Sequence, residues 1–234
     1  MPRLLDVIET ARVMTDRVLV AYSGGKDSVV TLDLCCKHFP HVAAFHMHYA
    51  PDLSFQERNL RWAEKHYGIE IMRIPHFEVS DLLRDGVYHA EDASVRRVSI
   101  AEVYAYAREQ TDTFWIAAGE RIADSIVRRA MIVKDGTVNA NRGRIFPVAH
   151  WTKAHITAYI RRNNLRVSEE AAILGHSFRG LEHKDLAIIK QSYPEDYRRI
   201  VAMYPLVEAG VKWQEFYGTQ KDANARGDKR IPEV

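Results

Sequence analysis

Ser23-Gly24-Gly25-Lys26-Asp27-Ser28 follows the apolar run Arg17-Val18-Leu19-Val20-Ala21-Tyr22 and precedes a helical pattern from Ser28 through Lys37. The hexapeptide therefore sits where a buried strand hands over to a helix. Two glycines let the backbone turn without Cβ clashes, so successive N–H groups can converge on one concavity, and the following helix adds the partial positive charge of its N-terminus. That geometry suits a pyrophosphate. Lys26 would neutralise phosphate charge, the hydroxyls of Ser23 and Ser28 would donate to phosphate oxygens, and Asp27 would orient the loop or hold a hydrated Mg²⁺. Neither the Walker A spacing nor G-x-G-x-x-G is present. The competing interpretation is a glycine turn with polar neighbours.

Working outward, Leu4 to Met14 is an amphipathic helix, Val42–His48 a second buried strand, Phe55 to Tyr67 a helix and Ile69–Ile74 a third strand closed by Pro75. Val95 to Arg108 has a helical pattern, Thr113–Gly119 is another buried strand, and Ala123 to Met131 follows as a helix. Strands separated by helices predict an α/β fold: a doubly wound, mostly parallel sheet, here of five strands. Beyond residue 132 come a turn at Lys134–Thr137, a polar loop over Asn139–Arg144 and a brief apolar segment, Ile145–Val148, where the sheet should end. Thr152 then caps a helix running to Asn163, and further helices are expected over Glu169–Leu174, Leu181–Ser192 and Pro194–Tyr204. The expected organisation is a nucleotide-binding α/β domain over 1–150, a helical C-terminal layer over 151–218 and a mobile tail over 219–234.

Composition narrows the function classes. Hydrophobic residues make up 47% and charged residues 27% of the 234, which excludes wholesale disorder and fibrous repeats. A net charge of +2 gives no global field for nucleic acid or anionic membrane, so any anion site must be local. One local excess exists: between Gly119 and Arg166 there are ten Lys/Arg against three Asp/Glu. No apolar run reaches membrane-spanning length, and a cytoplasmic location with no membrane partner is expected. Cys35 and Cys36 are adjacent and cannot build a disulfide framework, a zinc site or an iron–sulfur cluster. His46 and His48 alternate on their strand and point to opposite faces, which disfavours joint chelation of a metal. His38, His41, His150, His155, His176 and His183 show no metal-ligand spacing.

Ser23–Ser28 resembles the SGGKDS loop of the PP-loop, or N-type ATP pyrophosphatase, superfamily, in particular its PAPS (phosphoadenosine phosphosulfate) reductase-like branch. Gly119-Glu120-Arg121-Ile122-Ala123-Asp124-Ser125-Ile126-Val127-Arg128 matches that branch's G-x-R-x-x-(E/D)-S-x-x-R, and Phe146-Pro147-Val148-Ala149-His150-Trp151-Thr152 is similar to its proline-to-W-T segment. Ala50–Glu57 and Tyr193–Tyr197 look most like phage and mobile-element members. The resemblance implies an adenine nucleotide alpha hydrolase-like fold with ATP as ligand and Mg²⁺ beside it. It implies catalytic roles for Lys26, Asp27, Arg121 and Arg128. Nucleotide contacts fall to Ser23, Gly24, Gly25, Lys26, Asp27, Ser28, Gly119, Arg121 and Ser125, and to His48 or Tyr49 beside the base. Both strand ends lie on one sheet edge, where fixed guanidinium groups would stabilise a leaving pyrophosphate.

One departure matters. The reductases of this branch accept the sulfo group on a cysteine in a C-terminal E-C-G-(I/L)-H segment, whereas this chain reads Gly180-Leu181-Glu182-His183 and has no cysteine after Cys36. The expectation is therefore attack on the α-phosphorus of ATP, with pyrophosphate leaving and AMP passing to an acceptor of unknown identity. Alternatives are a sulfonucleotide reductase working without that cysteine, or a non-catalytic nucleotide-binding subunit acting with a DNA-binding partner. A sulfur donor would come from a partner protein, a homodimer is left open, and direct nucleic-acid binding through Arg142, Arg144, Arg161 and Arg162 is a further alternative.

Overall fold

The computed structural model describes residues 4–225. In chain order the elements are α1 (Asp6–Met14), β1 (Arg17–Ala21), α2 (Lys26–His38), β2 (His41–His48), α3 (Ser54–Tyr67), β3 (Ile71–Pro75), α4 (Phe77–Arg84), α5 (Ile100–Thr111), β4 (Ile116–Ala117), α6 (Ile126–Asp135), β5 (Val138–Asn139), β6 (Arg144–Ile145), α7 (Lys153–Arg162), α8 (Glu169–Leu174), α9 (His183–Ser192), α10 (Pro194–Met203) and α11 (Val207–Ala225). The sheet order is β3-β2-β1-β4-β6-β5, parallel throughout except for β5 against β6. Val18, Leu19 and Val20 are wholly buried because β1 lies between β2 and β4 with helices over both faces, which is why it reads as an unbroken apolar run. The strand order reverses between β1 and β4, and the crevice beyond their C-terminal ends is where such sheets bind ligands.

The sheet corrects the sequence in one respect: among the described residues it has six strands, not five. The added strand, β5, lies in the stretch expected to be turn and polar loop, and pairs Val138 with Ile145 and Asn139 with Arg144. Two residues cannot display a period of two, so the hairpin leaves no pattern. Two helices were also unmarked, α4 and α11. Helix α5 starts at Ile100 rather than Val95, because Ser99 and Glu102 close a capping box there. Helix α11 continues through residues 219–225 of the segment read as a tail, and 226–234 lie outside the described residues.

The C-terminal helices pack on the end of β2 and on α3. Tyr204, Val207, Leu186 and Ile200 share a core with Leu53 and Phe55, and the Tyr204 hydroxyl donates to the Tyr49 carbonyl at 2.7 Å. Buried Asp196 accepts from the Ser54 backbone N–H at 2.9 Å and the Ser54 hydroxyl at 2.7 Å, placing a carboxylate at the N-terminus of α3. Ala50–Glu57 and Tyr193–Tyr197 are thus two halves of one contact. Trp151 docks α7 by donating to the Leu4 carbonyl at 2.8 Å. No described helix is long and apolar enough to cross a membrane.

Candidate active site

The turn after β1 is folded by its own hydroxyls. Ser28 Oγ donates to the Gly25 carbonyl at 2.9 Å, accepts from the Ser23 N–H at 3.2 Å, and lies 3.1 Å from Ser23 Oγ. Ser28 is buried, so it shapes the loop rather than presenting its hydroxyl to a ligand. Gly24 has φ of 75°, and a Cβ there would meet Asn59 Nδ2 at 2.7 Å; its carbonyl accepts from the Ser168 N–H at 3.2 Å. Gly25 is the N-cap of α2 and no side chain caps it, so the first N–H groups of α2 are available to an anion. Lys26, exposed at the first turn, has no ion pair or hydrogen bond among the described residues.

The segment after β4 packs directly on this loop. A Cβ on Gly119 would lie 2.9 Å from the Asp27 carbonyl carbon and 3.0 Å from the Ser28 nitrogen, so only glycine lets the two strand ends touch. Arg121 Nε lies 3.0 Å from Asp27 Oδ1, a charge contact without an aligned N–H, and its Nη2 donates to Asp124 at 2.7 Å. Asp124 also accepts the Arg121 backbone N–H at 2.9 Å and pairs with Arg128 at 3.4 Å. Burial raises the Asp27 carboxyl above the ordinary carboxylate value, and Arg121 offsets part of that rise. The arginines expected to face phosphate are thus already held by acids, and Ser125 caps α6 by accepting from the Arg128 N–H at 3.1 Å.

These segments floor a cavity of about 640 Å³. One wall is aromatic: Phe45, Tyr49, His76, Phe77 and Tyr104, with the Tyr49 and His76 rings stacked at 4.6 Å. The lining also includes Lys153, His176 and Arg179, from the first turn of α7 and the loop after α8. Of the expected residues, Ser23, Gly25, Lys26, Asp27, Ser28, Gly119, Arg121 and Arg128 line the cavity, while Gly24 and Ser125 brace it from outside.

Of His48 and Tyr49, the two residues expected beside the base, Tyr49 lines the cavity and His48 does not, and His46 lines it as well. Alternation along β2 turns His46 toward the Tyr22 carbonyl, 2.9 Å from its Nδ1. Burial lowers the His46 pKa to about 4, so the ring is neutral, Nδ1 donates and Nε2 is a buried acceptor without a partner among the described residues. Asn59, Lys153, Ser168, His176, Ser177 and Arg179 belong to the site but were not singled out. They come from three distant stretches, and none carries a motif of its own.

Among the described residues no three His, Cys, Asp or Glu side chains gather as a metal-ligand group. Asp27 is the one carboxylate of the loop, which fits a Mg²⁺ held mainly by phosphate oxygens and water. The cysteines lie elsewhere. Cys35 is buried with its thiol pushed well above the ordinary value, and Cys36, at about 12, opens on a hollow with Arg17, His41 and Thr113 at the opposite edge of the sheet. Both are protonated thiols, remote from the loop.

Residues 17–169 match the phosphoadenosine phosphosulfate reductase domain family. The chain belongs to that family. A PAPS reductase from Candida auris, solved as a phosphate complex, superposes with a TM-score of 0.53 at 18% identity, covering 76% of this chain and 88% of that one, and shows the shared fold. An NH3-dependent NAD synthetase from Campylobacter jejuni aligns over 99% of this chain and 95% of its own, with a TM-score of 0.49 and 15% identity. No curated protein matches the chain.

Proposed function

We propose that the protein cleaves ATP between the α- and β-phosphates and transfers AMP to an acceptor. The observation that carries this reading is the junction of the two strand ends: Gly119 against the Asp27–Ser28 peptide, with the uncapped N-terminus of α2 and unpaired Lys26 beside it. An acceptor oxygen attacks the α-phosphorus, the bond from that phosphorus to the bridging oxygen breaks, and pyrophosphate leaves with the electron pair. The α2 amides and Lys26 take up the charge that builds on it. Arg121 acts one step back, fixing Asp27 and tying the two segments together. Mg²⁺, held through Asp27 and the phosphates, would neutralise the same charge. The aromatic wall suits the adenine ring.

The thiol chemistry of the reductases finds no support, because both cysteines are protonated and distant from the cavity. Nucleic-acid binding through the basic cluster is weakened by its own contacts: Arg142 pairs with Asp135 at 2.8 Å, and Arg144 lies over the Tyr104 and Phe146 rings and near Glu120. A sulfur donor or DNA-binding partner would act through other surfaces. Incubation with Mg²⁺ and α-labelled ATP should release AMP and pyrophosphate. Lys26→Ala should lower that rate by about 10²–10³-fold while melting like the parent, since Lys26 is exposed and unpaired. ATP-dependent stabilisation with no AMP would replace the enzyme by a nucleotide-binding regulatory subunit.

A further inference from the structure

The cations of the cavity fall into two states. Arg121 and Arg128 are held by Asp27 and Asp124, whereas Lys153 and Arg179 have no ion pair or hydrogen bond among the described residues. Lys153 and Arg179 both line the cavity, as does His176. His176 is pinned, its Nδ1 3.0 Å from the Ser177 carbonyl and its Nε2 3.5 Å from the buried Asp185 carboxylate. Ser177 fixes where this segment begins, because a Cβ on Gly25 would lie 2.9 Å from Ser177 Oγ. The segment bearing Arg179 therefore starts at the phosphate loop.

Two cations without an ion pair in one concavity raise the local concentration of anions, although Arg179 also feels the Asp185 carboxylate. The pyrophosphate already has the α2 amides and Lys26, and the base has the aromatic wall. Lys153 and Arg179 are left for the other substrate. We propose that Lys153 and Arg179 form the acceptor subsite, and that the acceptor carries an oxyanion, carboxylate or phosphate. The Arg179 fork would grip it in two-point fashion and Lys153 would act as a point charge. This inference rests on the AMP-transfer reading and names the substrate class that reading left open.

The test saturates the protein with α,β-methylene-ATP and Mg²⁺, then titrates inorganic phosphate or acetate against chloride at constant ionic strength, following thermal stabilisation. Phosphate or acetate should raise the melting temperature of the saturated protein beyond chloride. The rise should vanish in a Lys153→Gln, Arg179→Gln double variant, which should bind the nucleotide analogue within about twofold of the parent. A response to phosphate alone assigns a phosphorylated acceptor, and a response to acetate assigns a carboxylate. Absence of any anion-specific rise overturns the proposal. So does a loss of about tenfold or more in analogue affinity in the double variant, which would give these cations to the nucleotide itself. Failure of the underlying reading looks different: α-labelled ATP would then give no AMP, whatever phosphate does.

Discussion

Arg121 and Arg128, which sit at motif spacing, are committed to Asp27 and Asp124, while Lys153 and Arg179, which belong to no motif, face the same cavity unpaired. Spacing located a segment that lines the cavity, and two of the cations left without an ion pair there lie outside any motif. A guanidinium held by two carboxylates is a brace, and its loss should register in stability as well as in turnover. An unpaired cation in a cavity stabilises little in the fold, so its loss should register in binding.

The sharpest way to break this comparison is to delete the two arginines separately. Arg121 is only 12% exposed, and Arg121→Ala leaves Asp27 and Asp124 facing each other without a cation, which should cost about 2–3 kcal/mol of stability. The Arg128 pair is longer and its side chain is half exposed, so Arg128→Ala should cost under about 1 kcal/mol. Equal losses on denaturant unfolding would abolish the distinction between brace and rim. Gly119→Ala comes next: its methyl would press on the Asp27–Ser28 peptide and should cost about 1–3 kcal/mol, with a loss of nucleotide affinity that Gly68→Ala, where no atom lies within 4 Å, does not share.

Asp27 sharpens the comparison in the other direction. Burial raises its pKa, so the folded protein disfavours the charged carboxylate, and the cost appears as pH climbs through and above the unfolded value of about 3.9. Asp27→Asn should therefore melt no lower than the parent at neutral pH, with any advantage fading below about pH 4, while AMP formation falls. A large drop in melting temperature at pH 7 would mean that the Arg121 contact outweighs burial. The smallest expected effect is that of Cys36→Ser, which should leave turnover unchanged because Cys36 opens on the opposite edge of the sheet. A dead Cys36→Ser variant would revive thiol chemistry.

How much of this was legible depended on the length of each element. Val18–Val20 and the strand ending at His48 are long enough to show burial, and the Ser23–Ser28 turn between them carries its own chemistry, so the β1 half of the sheet could be read. β4, β5 and β6 are two residues each, and there the signal lay in the Gly119–Arg128 spacing rather than in periodicity. Of His48 and Tyr49, expected together beside the base, Tyr49 lines the cavity, and position at a strand end cannot say in advance which of the two does. Ser168 and Ser177 could not be found at all, since they reach Gly24 and Gly25 only after the C-terminal helices fold back over α3.

The central claim concerns which phosphorus is attacked, and hydrolysis of ATP in ¹⁸O-labelled water, without added acceptor, tests it most directly. Water standing in for the acceptor should place the heavy oxygen on AMP and leave the pyrophosphate unlabelled. Label on pyrophosphate, or ADP and labelled phosphate as products, would contradict attack at the α-phosphorus.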